Sequence, residues 1–165
     1  MDPAHLAERL RARLPEVLLA RGEVTVTIGR DDLLTVLEYL RDEGDLSFRF
    51  LADVTASDWP GLDPRFWLAY ELLSMEHVHR VRVKVGLSED DPRVPSATRT
   101  FPTANWLERE VFDFFGIVFD GHPDLRRIEM PQDWVGHPLR KDEPLAGVNI
   151  QYKGAFIPPP DQRGL

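Results

Sequence analysis

The 165-residue chain contains no cysteine. Disulfides and thiolate-ligated clusters within the chain are therefore excluded. Basic charge is also short: 20 Lys and Arg stand against 28 Asp and Glu, a net charge of −8. Binding along a nucleic acid needs a basic footprint, so that class of main partner is disfavoured, although a local basic patch stays open. No apolar run has the length of a membrane span, and the first residues lack the apolar h-region of a secretory signal. A cytosolic compartment is expected, with membrane association only through partners. Walker loop, dinucleotide fingerprint and nucleophile elbow are missing. What is there is 42% hydrophobic and 29% charged, the composition of a globular domain long enough for one core.

Periodicity predicts an α+β fold. Asp2 or Pro3 opens a short helix with Leu6, Leu10 and Leu14 near helical spacing, which Pro15 interrupts. Glu23 to Ile28 alternates as a strand, and Asp31 or Asp32 can cap a second helix whose apolar face is Leu33, Leu34, Val36, Leu37 and Leu40. Phe48 to Ser57, Phe66 to Met75 and His79 to Val85 read as successive strands, the last two joined through Glu76 to Val78. Ser88 to Pro95 reads as a loop and Ala97 to Phe101 as a short edge strand. Strands joined by short turns should pair antiparallel. The expectation is a mixed or antiparallel sheet with helices packed mainly on one face, in a single domain over 1–142. Residues 143–165, with the Pro158 to Pro160 run, read as an extended tail that docks on a partner through Ile150, Tyr152, Phe156 and Ile157.

Asn105 to Asp142 packs aromatics, charges, glycines and prolines together more densely than the rest. Its first block reads as a helix from Thr103 to Gly116, with Leu107, Val111, Phe114 and Phe115 on one stripe. Arg109 and Asp113 stand four apart, as an exposed ion pair would. Glu108, Glu110 and Asp113 are the candidate acid–base carboxylates, but Glu108 and Glu110 point in different directions on a helix. His77 and His79 could share a strand face toward a metal, with a third ligand from His122, His137 or a carboxylate; exposed histidines are the plainer reading. In Gly121-His122-Pro123 and Gly136-His137-Pro138 the favoured reading is turn geometry, each imidazole bonding a backbone group. Arg126, Arg127, Arg140 and Lys141, clustered near the aromatic helix, suggest a protein interface.

Three linked runs carry a resemblance: E-R-E-V-F-D-F-F-G-I (Glu108 to Ile117), G-H-P-D-L-R-R (Gly121 to Arg127) and G-H-P-L-R-K-D (Gly136 to Asp142). Together they resemble the signature region of the C-type subunit family of proton-pumping NADH–quinone oxidoreductase, respiratory complex I. The resemblance implies a non-catalytic scaffold subunit of the hydrophilic arm, binding no cofactor itself. FMN, iron–sulfur clusters, NADH and quinone would sit on other subunits. It implies two partners, the large quinone-site subunit and the small subunit with the terminal iron–sulfur cluster. It places the chain peripherally on the cytoplasmic side of the inner (plasma) membrane. The implied motif and interface residues are Glu108, Arg109, Glu110, Asp113, Gly116, His122, Pro123, Asp124, Arg126, Arg127, His137, Pro138, Arg140, Lys141 and Asp142. Two alternatives stay open: the equivalent subunit of a complex I-like membrane-bound hydrogenase, and a free-standing enzyme using the helix carboxylates.

Overall fold

The structure is a computed structural model that describes residues 2–143 and the backbone of 150–152 and 155–157. The architecture is α+β: a mixed sheet of five strands in the order β1 (Glu16–Ala20), β2 (Glu23–Ile28), β5 (His79–Leu87), β4 (Phe66–Ser74), β3 (Phe50–Asp58), with helices on its buried face. Helix α1 (Pro3–Arg11) begins where Asp2 accepts the Ala4 amide and Pro3 needs no helical donor. It stops before Pro15, and the chain forms β1 (Glu16–Ala20), a strand the sequence reading missed. Arg21 and Gly22, at φ 53° and 79°, make the tight turn into β2 (Glu23–Ile28). A 3-10 turn over Arg30–Asp32 leads into α2 (Leu33–Asp42), and neither aspartate caps the helix with its side chain.

Helix α2 carries the chain from β2 across the sheet to β3 (Phe50–Asp58) on the opposite edge. Strands β3, β4 (Phe66–Ser74) and β5 (His79–Leu87) form an antiparallel meander. The meander brings β5 beside β2, where it pairs parallel, Thr25 with Arg82 through Ile28 with Val85. Of the two expected arrangements, mixed or antiparallel, the sheet is the mixed one: the α2 crossover returns the chain so that β3 runs in the same direction as β2. Alternation decides which face is covered. Phe66, Leu68, Tyr70 and Leu72 on β4 and Val81, Val83 and Val85 on β5 are buried, whereas Trp67, Ala69, Glu71, Arg82 and Lys84 on the other face stay partly open. Residues of all three helices share one core with the buried face.

Two further readings change. The proposed edge strand at Ala97–Phe101 is a 3-10 turn over Ala97–Arg99, because Ser96 caps Thr98 and Glu108 takes the Ala97 amide. The preceding loop contains β6 (Arg93–Pro95), which pairs parallel with β7 (Val118–Asp120) after the signature helix. Residues 144–149, 153–154 and 158–165 of the expected docking tail lie outside the described residues; 150–152 and 155–157 pair antiparallel as β8 and β9.

Candidate functional site

Helix α3 (Ala104–Phe115) is the element on which the motif residues converge. Ala104, Glu108, Val111 and Phe115, at spacings of four, three and four, turn to the core. Leu107, Phe112 and Phe114 are half-buried against it. Trp106 stays 65% exposed, with the Arg109 guanidinium 4.8 Å from its ring centroid. Thr103 holds the N-cap position but is already helical and caps nothing with its side chain. Gly116 ends the helix at φ 74°, its N–H donating to the Phe112 carbonyl, as a left-handed C-cap requires.

The last turn of a helix leaves carbonyls without helical donors. Here the later motifs supply them. The Asp113 carbonyl accepts from Arg127 Nη1 at 3.1 Å and from His137 Nδ1 at 3.0 Å. The Phe114 carbonyl accepts from the Leu139 amide at 3.1 Å, and the Phe115 carbonyl from Arg140 Nε at 2.7 Å. Two guanidiniums thus sit at the negative end of the helix dipole. A Cβ at Gly116 would stand 2.6 Å from the His137 ring, so the glycine is needed for close approach as well as for its φ. The segment 136–143 is therefore a strap across the end of α3.

Asp113 fastens a second segment. Its side chain is fully buried, and its Oδ2 accepts the Ile128, Glu129 and Met130 amides at 3.0, 2.9 and 2.9 Å while Oδ1 accepts Arg127 Nη1 at 2.6 Å. Burial alone would raise its pKa. The Met130 amide, the Arg127 guanidinium and the other two amides outweigh burial and hold it below the ordinary carboxylate value. The exposed Arg109–Asp113 pair is therefore corrected: Asp113 pairs with Arg127, and Arg109 donates instead to the Arg126 carbonyl at 3.1 Å. Arg127 Nη2 also reaches the Gly136 carbonyl at 2.8 Å, which ties the two segments to each other.

A third anchor lies at the far end of the strap. Asp58, at the end of β3, accepts Arg65 Nε and Nη2 at 2.7 and 2.9 Å and the Lys141 amide at 2.8 Å. Arg65 is itself buried and also pairs with Glu89 and with Asp142 Oδ2, the latter at 3.0 Å. The Arg65 guanidinium, followed by burial in the opposing sense, leaves the Asp58 carboxyl below its ordinary value. Arg65 and Arg140 both lie against the Phe66 ring, 5.0 and 5.1 Å from its centroid. No short-range pattern couples residues 58 and 141, so Asp58 and Arg65 escaped the sequence reading of the motif.

His77, His79, His122 and His137 each bond a backbone carbonyl. His122 accepts the Asp124 amide on Nδ1, so Nε2 carries the proton it donates to the Asn105 carbonyl. His137 donates through Nδ1, and burial keeps its pKa below the ordinary histidine value. His79 is buried with Nε2 2.8 Å from the Leu46 carbonyl, and His77 Nε2 lies 3.0 Å from the Gly44 carbonyl. Asp124 and Arg126 pair with each other at the surface, at 2.6 Å. Glu110, Pro123, Lys141 and Asp142 are exposed, and Pro138 is half-buried. Among the described residues no group of three or more His, Asp or Glu could hold a metal ion. Around these anchors Trp59, Leu62, Trp106, Trp134, Val135 and Leu139 remain exposed.

The family model described as "Respiratory-chain NADH dehydrogenase, 30 Kd subunit" matches residues 26–149. A curated relative from Nocardioides sp., named as the C-type subunit of NADH-quinone oxidoreductase, is 49% identical over 155 residues, covering 93% of this chain and 62% of the relative. A protein of the same name from Saccharopolyspora erythraea is 51% identical over 149 residues, 90% of this chain and 60% of the relative. The chain thus spans about 60% of the length of these curated relatives. Among solved structures, the trypsin-resistant fragment of Nqo5 superposes with a TM-score of 0.66 at 34% identity, over 76% of this chain and all of the fragment. A chain of the membrane-bound sulfane sulfur reductase, an archaeal respiratory membrane complex, shares the fold with a TM-score of 0.67 at 24% identity, over 86% of this chain and 85% of that one. With three motifs built into one anchored helix end and a family match over most of its length, the chain belongs to the respiratory-chain NADH dehydrogenase 30 Kd subunit family.

Proposed function

We propose that the chain is a non-catalytic scaffold of an NADH–quinone oxidoreductase, holding the large quinone-site subunit and the small terminal iron–sulfur subunit in register. The observation that carries this reading is how the motif charges are used. Asp113, Arg127, His137 and Arg140 are committed to bonds within the chain, so they build a rigid helix end and have no free geometry for turnover. The apolar groups left exposed, Trp134, Val135 and Leu139 on the segments fastened to that end and Trp106 on the first turn of the same helix, have the chemistry of an interface core, with Glu110, Arg126, Lys141 and Asp142 as its polar rim. FMN, iron–sulfur clusters, NADH and quinone belong, on this reading, to other subunits. The curated relatives are named as subunits of NADH-quinone oxidoreductase, which favours this assembly over the hydrogenase type. Among the described residues no helix is long and apolar enough to cross a membrane, and attachment to the cytoplasmic face would come through the partners.

The test is incorporation. Trp106→Ala and Trp134→Ala together should leave the isolated chain with its normal melting curve. Truncation of a central aromatic anchor typically costs about 2 kcal/mol or more of binding. The double variant should therefore be depleted from complex purified out of membranes in mild detergent. Normal incorporation would refute this surface as the contact.

A further inference from the structure

Helix α3 carries a second buried carboxylate whose surroundings differ in kind from those of Asp113. Glu108 is fully buried. Its Oε1 accepts the Ala97 amide at 2.7 Å and its Oε2 accepts the Ser96 hydroxyl at 2.6 Å. Asp58 and Asp113 are each buried against a guanidinium, but no cation pairs with Glu108 among the described residues.

The groups facing it from neighbouring elements are neutral. Tyr70 enters from β4, fully buried, and its hydroxyl has no hydrogen-bond partner among the described residues. Burial, and after it the negative charge of Glu108, hold the Tyr70 phenol well above its ordinary pKa, so it stays protonated. Ser96 and Thr98 on the 3-10 turn contribute hydroxyls bonded to each other. The charged neighbours are engaged elsewhere: Arg109 lies on Trp106, Glu110 is exposed, and Arg41 of α2 bonds Asp42 and the Thr100 carbonyl. Two neutral donors do not repay the loss of water around a carboxylate.

We propose that Glu108 is an internal proton-binding site whose occupancy sets how firmly α3 packs against the Ser96–Arg99 turn. The protonated carboxyl needs one acceptor for its new O–H. The Ser96 hydroxyl, which can rotate, supplies it without moving the backbone. Burial raises the Glu108 pKa to about 7, against the opposing pull of Ser96 and the Ala97 amide. Between 4.5 and about 7 the folded chain therefore holds a proton that the unfolded chain has released. The stabilising effect is fully present below the unfolded value of 4.5 and is lost as pH rises through about 7. This inference concerns the chain by itself and does not depend on which partners it meets.

The experiment is a carboxyl-carbon NMR titration of the full chain with ¹³C-labelled glutamate, assigned through bonds so that no variant is required. The Glu108 carbon should titrate with a midpoint near pH 7, more than two units above an ordinary exposed glutamate. In parallel, the urea midpoint of the native chain should fall between pH 5 and pH 8, and that of Glu108→Gln should lose most of this fall. A Glu108 midpoint below pH 5, or no titration up to pH 9, would overturn the proposal. So would an undiminished fall in a folded Glu108→Gln.

Discussion

Replacing Asp113 with asparagine keeps the shape of the side chain and removes its charge. Asparagine has one acceptor oxygen where the carboxylate has two. Turned toward residues 128–130, that oxygen keeps the three amides and sets its NH2 against Arg127 Nη1. Turned the other way, it strands three buried backbone donors. The first orientation is cheaper, because Arg127 retains the Asp113 and Gly136 carbonyls. Removing one partner of a buried, hydrogen-bonded ion pair costs about 3–5 kcal/mol. The retained carbonyl contacts put Asp113→Asn at the lower end, about 3 kcal/mol. Urea unfolding at pH 7 measures the global loss, and amide exchange at Ile128, Glu129 and Met130 measures the release of that segment. The pKa of Asp113 is lowered in the fold, so its contribution is present above 3.8 and is lost as pH falls through the folded value. The variant should accordingly show a shallower acid limb. A loss under about 1 kcal/mol, with the three amides as protected as before, would refute the account of Asp113 as the clamp.

Gly116→Ala places a Cβ at positive φ and against the His137 ring; a loss of about 2 kcal/mol should lower Tm by roughly 4–8 °C, and an unchanged Tm would contradict the close approach. Arg65→Lys cannot reproduce the two-pronged bond to Asp58 and should cost about 2 kcal/mol by urea unfolding, with Arg65→Met costing more. Reversal at Arg140 should destabilise the isolated chain, since its Nε serves the Phe115 carbonyl, whereas reversal at exposed Lys141 should cost under about 0.5 kcal/mol and act on assembly alone. Equal melting curves for Arg140→Glu and Lys141→Glu would contradict that division.

Periodicity alone placed β2, β4, β5, α2 and α3 close to where they lie, because alternation and helical spacing are local properties of the chain. Gly116 marked the end of α3 for the same reason. Three runs of specific residues were enough to indicate the family. Strand β1 was not legible: Glu16–Ala20 carries apolar residues that a continued helix could also use, and only pairing with β2 makes it a strand. The parallel contact of β2 with β5 needed the whole meander to close. The site followed the same division. Spacing offered Arg109 as partner of Asp113, but a guanidinium and three amides from residues 127–130 bind the carboxylate more completely than one exposed neighbour. Asp58 meets Lys141 across 83 positions of sequence, a distance no local pattern can encode. Whether a carboxylate on α3 is solvated, paired or buried without a cation depends on what the rest of the chain brings to that side of the helix. Sequence put Glu108, Glu110 and Asp113 on one helix; tertiary packing gave the first a neutral buried site, left the second in solvent and made the third a clamp.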